Sequence, residues 1–200
     1  MNSRTQRRLE TRERVFAAAV EEFGRAGMAE ADIGAITAAA GVARGTFYFH
    51  FPTKEHVLAE LERREEALMA GRLAAALAAP HDLRFALAQF VREVEIVEER
   101  LGKRLMRDVL ALHFSPARPQ EHPEPGRWPE YPVIAMAVRE FELARERGEI
   151  FAEADAAQSA FLFMVGLYAL LITTHDHVVP ERRGILDNFT STVLRGMEPR

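Results

Sequence analysis

Residues 32–54, DIGAITAAAGVARGTFYFHFPTK, decide how the rest of the chain is read. Asp32 is a good helix N-cap, and Ile33, Ile36 and Ala40 follow on one helical face. Gly41 stands just past that helix, where a left-handed cap favours glycine, and Val42 can then tuck onto a core. A second helix begins near Ala43. It is short, because Pro52 forbids its continuation and biases Phe51 toward extended backbone. Two helices joined by a glycine-bearing turn allow the second helix to enter a DNA major groove.

The side chains of that second helix suit such a use. At about 100° per residue, Phe47 points almost opposite to Gly45 and is the expected core residue, supported by Phe51. The outward face then carries Arg44, Gly45, Thr46, Tyr48, Phe49 and His50. A glycine inside a helix costs about 1 kcal/mol relative to alanine, so Gly45 needs a reason, and close approach to another backbone is one.

The segment AITAAAGVARGTFYFHFPTKEHVL resembles the DNA-binding signature of the tetracycline-repressor (TetR) family of bacterial regulators, over about Arg12 to Leu61. The glycine, aromatic, His-Phe and lysine positions recur together. The resemblance implies a DNA-facing set of Arg44, Gly45, Thr46, Tyr48, Phe49, His50 and Lys54, with Thr37 on the preceding helix. One departure stands out. The family usually has serine or threonine where this chain has Ala43, so a hydroxyl-to-phosphate contact is expected to be missing.

Composition bounds the rest. The chain has 200 residues, 48% hydrophobic and 28% charged, ordinary values for a globular protein of one or two domains. With no cysteine, a thiol nucleophile, a thiolate metal site and a disulfide framework are excluded. The charged amino terminus lacks the apolar run of a signal peptide, and the apolar run Ala160 to Ile172 falls short of the roughly 20 residues that cross a bilayer. The expectation is a cytoplasmic, nucleoid-associated protein with no membrane partner. The net charge is −4, but Arg4, Arg7, Arg8, Arg12 and Arg14 outweigh Glu10 and Glu13 near the proposed reading helix. A basic excess there fits phosphates as well as it fits a solvated tail.

Taken in order, the first helix runs from about Leu9 to Arg25 with Phe16, Ala19, Val20 and Phe23 as its apolar stripe. Upstream arginines form either a phosphate-reaching arm or a tail. Thr53 caps a fourth helix running toward Pro80, with Leu58, Leu61, Leu68, Leu73 and Leu77 inward. Lys54 falls in its first turn, where the helix dipole disfavours a cation unless a phosphate docks there. Two further helical patterns follow, interrupted at Gly102. Residues 115–132 hold six prolines and cannot be helical, so they read as a surface loop or, given Trp128 and Tyr131, as the rim of a pocket. A helix follows from about Val133 to Arg147. Asp155 with Gln158 resembles a capping box for an all-apolar helix to about Thr174, which needs burial on more than one side. Pro180 starts a last helix.

No phosphate-binding glycine loop, nucleophile elbow or catalytic carboxylate pair stands out, so neither enzymatic activity nor a cofactor is expected. His175, Asp176 and His177 do not share a helix face and read as a polar helix end rather than a metal site. His113 is either a core histidine or pocket-facing.

The expected fold is all-α. A three-helix helix-turn-helix domain covers residues 1–56, with its motif at 32–51, and a helical ligand-binding and dimerisation domain covers 57–200. The resemblance implies about nine helices, the last two packing in a homodimer, and control by a small molecule. The expected function is a DNA-binding regulator, a repressor released from a palindromic operator by a small hydrophobic effector. Candidate effector-lining residues are Phe90, Val94, Val109, His113, Trp128 and Phe141. The alternative is a dimeric DNA-binding regulator without a small ligand, its second domain serving dimerisation or a protein partner.

Overall fold

A computed structural model describes residues 3–116, 118, 119, 131–174 and 178–199. Among them there are eight helices and no strand: α1 (Ser3–Ala26), α2 (Ile33–Ala40), α3 (Arg44–His50), α4 (Lys54–Ala76), α5 (Leu83–His113), α6 (Pro132–Glu146), α7 (Ala156–Thr173) and α8 (Val179–Gly196). The all-α architecture is therefore as expected. α5 contains a break at Gly102, whose φ of 77° and ψ of 153° are not helical, so it is two helical segments. A residue with a Cβ rarely adopts that φ, which is why the interruption falls on a glycine. Counting the segments separately gives nine helices among the described residues. Trp128, His175, Asp176 and His177, and most of the proline-rich segment, lie outside the described residues.

The chain divides into two compact units, Met1–Arg64 with Arg100–Glu121, and Glu65–Glu99 with His122–Arg200. The core of the first joins Val15, Phe16, Ala19 and Phe23 of α1 to Ile33, Ile36 and Ala40 of α2, then to Phe47, Phe51, Leu58 and Leu61. Leu105, Val109 and Leu112 of α5 pack into the same core, so this unit takes in residues well beyond 56. Polar bonds tie α5 to the end of α1: the Met28 amide donates to Asp108 at 2.8 Å, and the Arg104 guanidinium to the Arg25 carbonyl at 2.6 Å.

α1 starts at Ser3, earlier than its apolar stripe suggests. The extra turns hold good helix formers and local bonds such as Gln6 to Glu10 at 3.0 Å. Leu68 of α4 is also a correction, since it is 49% exposed. The buried stripe there steps by four through Leu61, Glu65, Met69 and Leu73, leaving Leu68 about 100° from Met69.

In the second unit, Phe90 and Val94 of α5, Phe141 of α6, and Phe163 and Leu167 of α7 are buried. The Asp155 carboxylate caps α7 by accepting from the Gln158 amide at 2.9 Å. The Phe163 and Phe189 rings stack at 5.6 Å. Gly166 makes room for Phe189, because a Cβ at that position would stand 2.6 Å from its ring. His81, after α4, fastens the turn to α6: its Nδ1 faces the Ala79 carbonyl at 2.7 Å and its Nε2 the Glu140 carboxylate at 2.8 Å.

Candidate nucleic-acid interface

The turn that sets α3 against α2 is closed by backbone and side-chain bonds. Asp32 accepts from the Gly34 amide at 2.6 Å. At the other end Gly41 takes a φ of 64°, and the Gly41 and Val42 amides donate to Ala38 and Thr37 carbonyls at 3.1 and 3.0 Å. That left-handed residue reverses the chain in one step. α3 then opens at Ala43, which offers no side-chain cap, and ends when the Phe51 amide donates to the Phe47 carbonyl at 2.8 Å.

Of the seven residues of α3, Phe47 alone is buried. Arg44, Gly45, Tyr48 and Phe49 are exposed, and Thr46 and His50 are half-buried. Tyr48 and Phe49 are 45% and 66% exposed. Two adjacent aromatics thus stand open on a seven-residue helix. At Gly45 an added Cβ would meet no atom within 4 Å among the described residues, and the backbone is helical, so no packing among them requires a glycine.

Positive charge flanks this face. The Arg8 guanidinium lies 5.2 Å from the centroid of Phe49. The pKa of His50 is held below its ordinary 6.5, chiefly by burial and then by Arg8 and Arg12, so its imidazole is neutral at pH 7. The other expected residues stand differently. Lys54 directs its ammonium to the Ala29 and Ala31 carbonyls at 2.8 and 3.4 Å, stapling the α1–α2 turn to the start of α4. An ammonium has three donors, so a further acceptor can still be served. Thr37 is apart from the exposed face: it is 5% exposed and its hydroxyl turns back to the Ile33 and Gly34 carbonyls at 2.9 and 3.1 Å.

The expected effector-lining residues do not form one described cavity. Phe90, Val94 and Phe141 are core residues of the second unit, and Val109 belongs to the core of the first. His113 sets its Nδ1 2.5 Å from Glu62, whose other oxygen lies 3.1 Å from Arg118. An open cavity of about 320 Å³ lies elsewhere, between α5 and α8, walled by Arg84, Arg92, Glu95, Arg183 and Asp187. Val91, Leu186 and Thr190 line it as well, and sequence reasoning missed it because these residues lie on helices some 90 positions apart.

Residues 15–61 match the model of the bacterial regulatory proteins of the tetR family. Solved structures extend the likeness in fold to nearly the whole chain. The fatty acid degradation regulator FadR from Bacillus halodurans aligns with a TM-score of 0.67 at 18% identity, covering 93% of this chain and 99% of that one. Thermus thermophilus FadR, a TetR-family transcriptional repressor in complex with lauroyl-CoA, aligns at 0.65 and 22% identity, covering 92% and 91%. Bacillus subtilis FadR in complex with stearoyl-CoA aligns at 0.63 and 17% identity, covering 92% and 95%.

Proposed function

We propose that this chain, which belongs to the TetR family of bacterial transcriptional regulators, is a homodimeric repressor that leaves a palindromic operator when a small hydrophobic effector binds. The observation that carries the DNA half of this reading is the division of α3, with Phe47 buried and Arg44, Tyr48 and Phe49 open. In this reading Arg44 and Thr46 address base edges, Tyr48 and Lys54 hold phosphates, and Gly45 lets the DNA backbone approach. Thr37, with its hydroxyl turned inward, shapes α2 rather than touching DNA. One short helix reads only a few base pairs, so two copies paired through α7 and α8 would place α3 on half-sites one or more helical turns apart. Residues 1–56 would supply DNA binding and 57–200 the control. The repressor would act in the cytoplasm, on the nucleoid.

For the effector, the FadR structures with lauroyl-CoA and stearoyl-CoA make a long-chain acyl thioester the class to test first. Of the residues expected to line its site, Phe90, Val94 and Phe141 of the second unit remain the proposed apolar lining. A ligand shifts the balance between DNA-fitting and unfitting forms only by its differential affinity for them. Full burial of Phe90, Val94 and Phe141 favours the second reading, in which residues 57–200 only dimerise or hold a protein partner.

Operator selection from a random duplex pool, followed by fluorescence anisotropy across about 50 to 300 mM salt, tests DNA binding. Binding is expected to weaken steeply with salt; absence of any selected sequence would end this reading. Thermal shift with acyl-CoAs of graded chain length tests the effector, since a ligand of the folded form must raise the melting temperature. Stabilisation without release of DNA would assign the ligand another role.

A further inference from the structure

Arg12 belongs to the basic cluster near α3, but its surroundings give it a task of its own. From α1 its two terminal nitrogens reach both Glu60 oxygens of α4, each at 3.2 Å. Its guanidinium lies 4.5 Å from the centroid of the Phe51 ring. Phe51 is 1% exposed and ends α3, with its ring 6.3 Å from Phe47 and 6.2 Å from Phe16. A seven-residue helix with one buried side chain has few anchors, so its orientation depends on Phe47 and on the residue that ends it. Arg12 forms the lid on that second anchor, and the fork to Glu60 fixes the lid's plane.

We propose that Arg12 is a positioning residue for operator recognition: the Glu60–Arg12–Phe51 stack sets the angle at which α3 presents Arg44 and Thr46 to base edges. Site geometry of this kind tolerates only about 0.5 Å or 10–20° of error. Glu60 is also held by Arg64 at 2.8 Å and by Arg63, so losing Arg12 does not strand a buried carboxylate. Arg64 in turn pairs with Glu13 and lies 4.0 Å over Phe16, which keeps α1 and α4 joined in an Arg12 variant.

The inference rests on the DNA-binding reading, and the two fail in different places. If that reading is wrong, the wild-type chain binds no selected duplex. With wild-type binding in hand, Arg12→Gln is expected to weaken operator binding by about tenfold while binding to a scrambled duplex changes by no more than about twofold. The slope of log affinity against log salt should stay at the wild-type value, whereas a lost phosphate contact lowers it by about 0.9. Arg12→Lys should behave like Arg12→Gln, because an ammonium keeps the charge but neither forks nor stacks. Phe51→Leu should match Arg12→Gln and add little to it in the double variant, as expected of two parts of one unit. Rescue by lysine, a lowered salt slope, or equal losses on both duplexes would make Arg12 a phosphate contact and overturn the proposal. Failure of Arg12→Gln to melt cooperatively would overturn it too, by assigning the residue to domain stability.

Discussion

At the scale of single residues, the recognition face turns on side chains whose value lies outside the chain. Gly45 separates two demands that normally agree. Its backbone is helical and open space surrounds it, so Gly45→Ala should raise stability by up to about 1 kcal/mol through helix propensity alone. If the DNA backbone passes there, the same methyl group should weaken operator binding several-fold. Melting and anisotropy on one preparation check both signs, and a variant that binds as well as wild type removes the proposed approach. His50 gives a second test, in pH. In the free protein burial, then Arg8 and Arg12, depress its pKa below 6.5. Phosphates brought near it would raise that pKa, so binding takes up a proton between the free and bound values. Operator affinity should therefore rise as pH falls across that window, and His50→Gln should flatten that rise. A rise that persists in the variant would belong to another group.

At the scale of elements, the short helix and its turn were legible because each signal is local. Pro52 stops α3, Gly41 alone can take the reversing φ, and Phe47 is the one residue opposite the polar face. Ala43 carries no hydroxyl, and α3 begins without a side-chain cap. Ala43→Ser should add about 0.5–2 kcal/mol of stability through that cap and tighten operator binding; unchanged stability would mean the new hydroxyl does not reach the helix amides. What could not be read was partnership over long separations. Lys54 meets carbonyls 23 and 25 positions away, and Arg12 meets Glu60 across 48. A cation in sequence looks the same whether it waits for phosphate or already holds a carbonyl. Thr37 turns its hydroxyl inward for a local reason, since a hydroxyl inside a helix can return to the carbonyl four residues back. A Cβ at Gly166 would stand 2.6 Å from the Phe189 ring, so Gly166→Ala should cost about 1–3 kcal/mol by overpacking. A combined Gly166→Ala, Phe189→Leu variant should recover part of that loss in thermal melts; no recovery would mean the strain lies elsewhere.

At the scale of the whole molecule, α7 poses the largest unmet demand for burial. Its 18 residues have a mean hydropathy of 1.8, enough by length and composition to cross a bilayer, yet only 33% of them are buried within the chain. One side packs inward through Ala160, Phe163, Met164, Leu167 and Leu171. On another side Phe161 and Leu162 are 53% and 61% exposed, with Val165 half-buried and Ala169 exposed one and two turns on. Exposed apolar positions at that spacing form a stripe of the kind that marks an interface. A second copy of the chain would satisfy it symmetrically, and the same pairing would supply the two half-site readers that one short α3 cannot provide alone. Replacing both Phe161 and Leu162 by Glu sets like charges face to face in such an interface. Light scattering should then report the 22.5 kDa chain rather than twice that mass. The operator should lose about tenfold or more in affinity, while a single half-site duplex binds as before. A variant that remains dimeric would move the interface off α7. One that becomes monomeric yet holds the full operator unchanged would show that pairing on this face is not what places α3 on DNA.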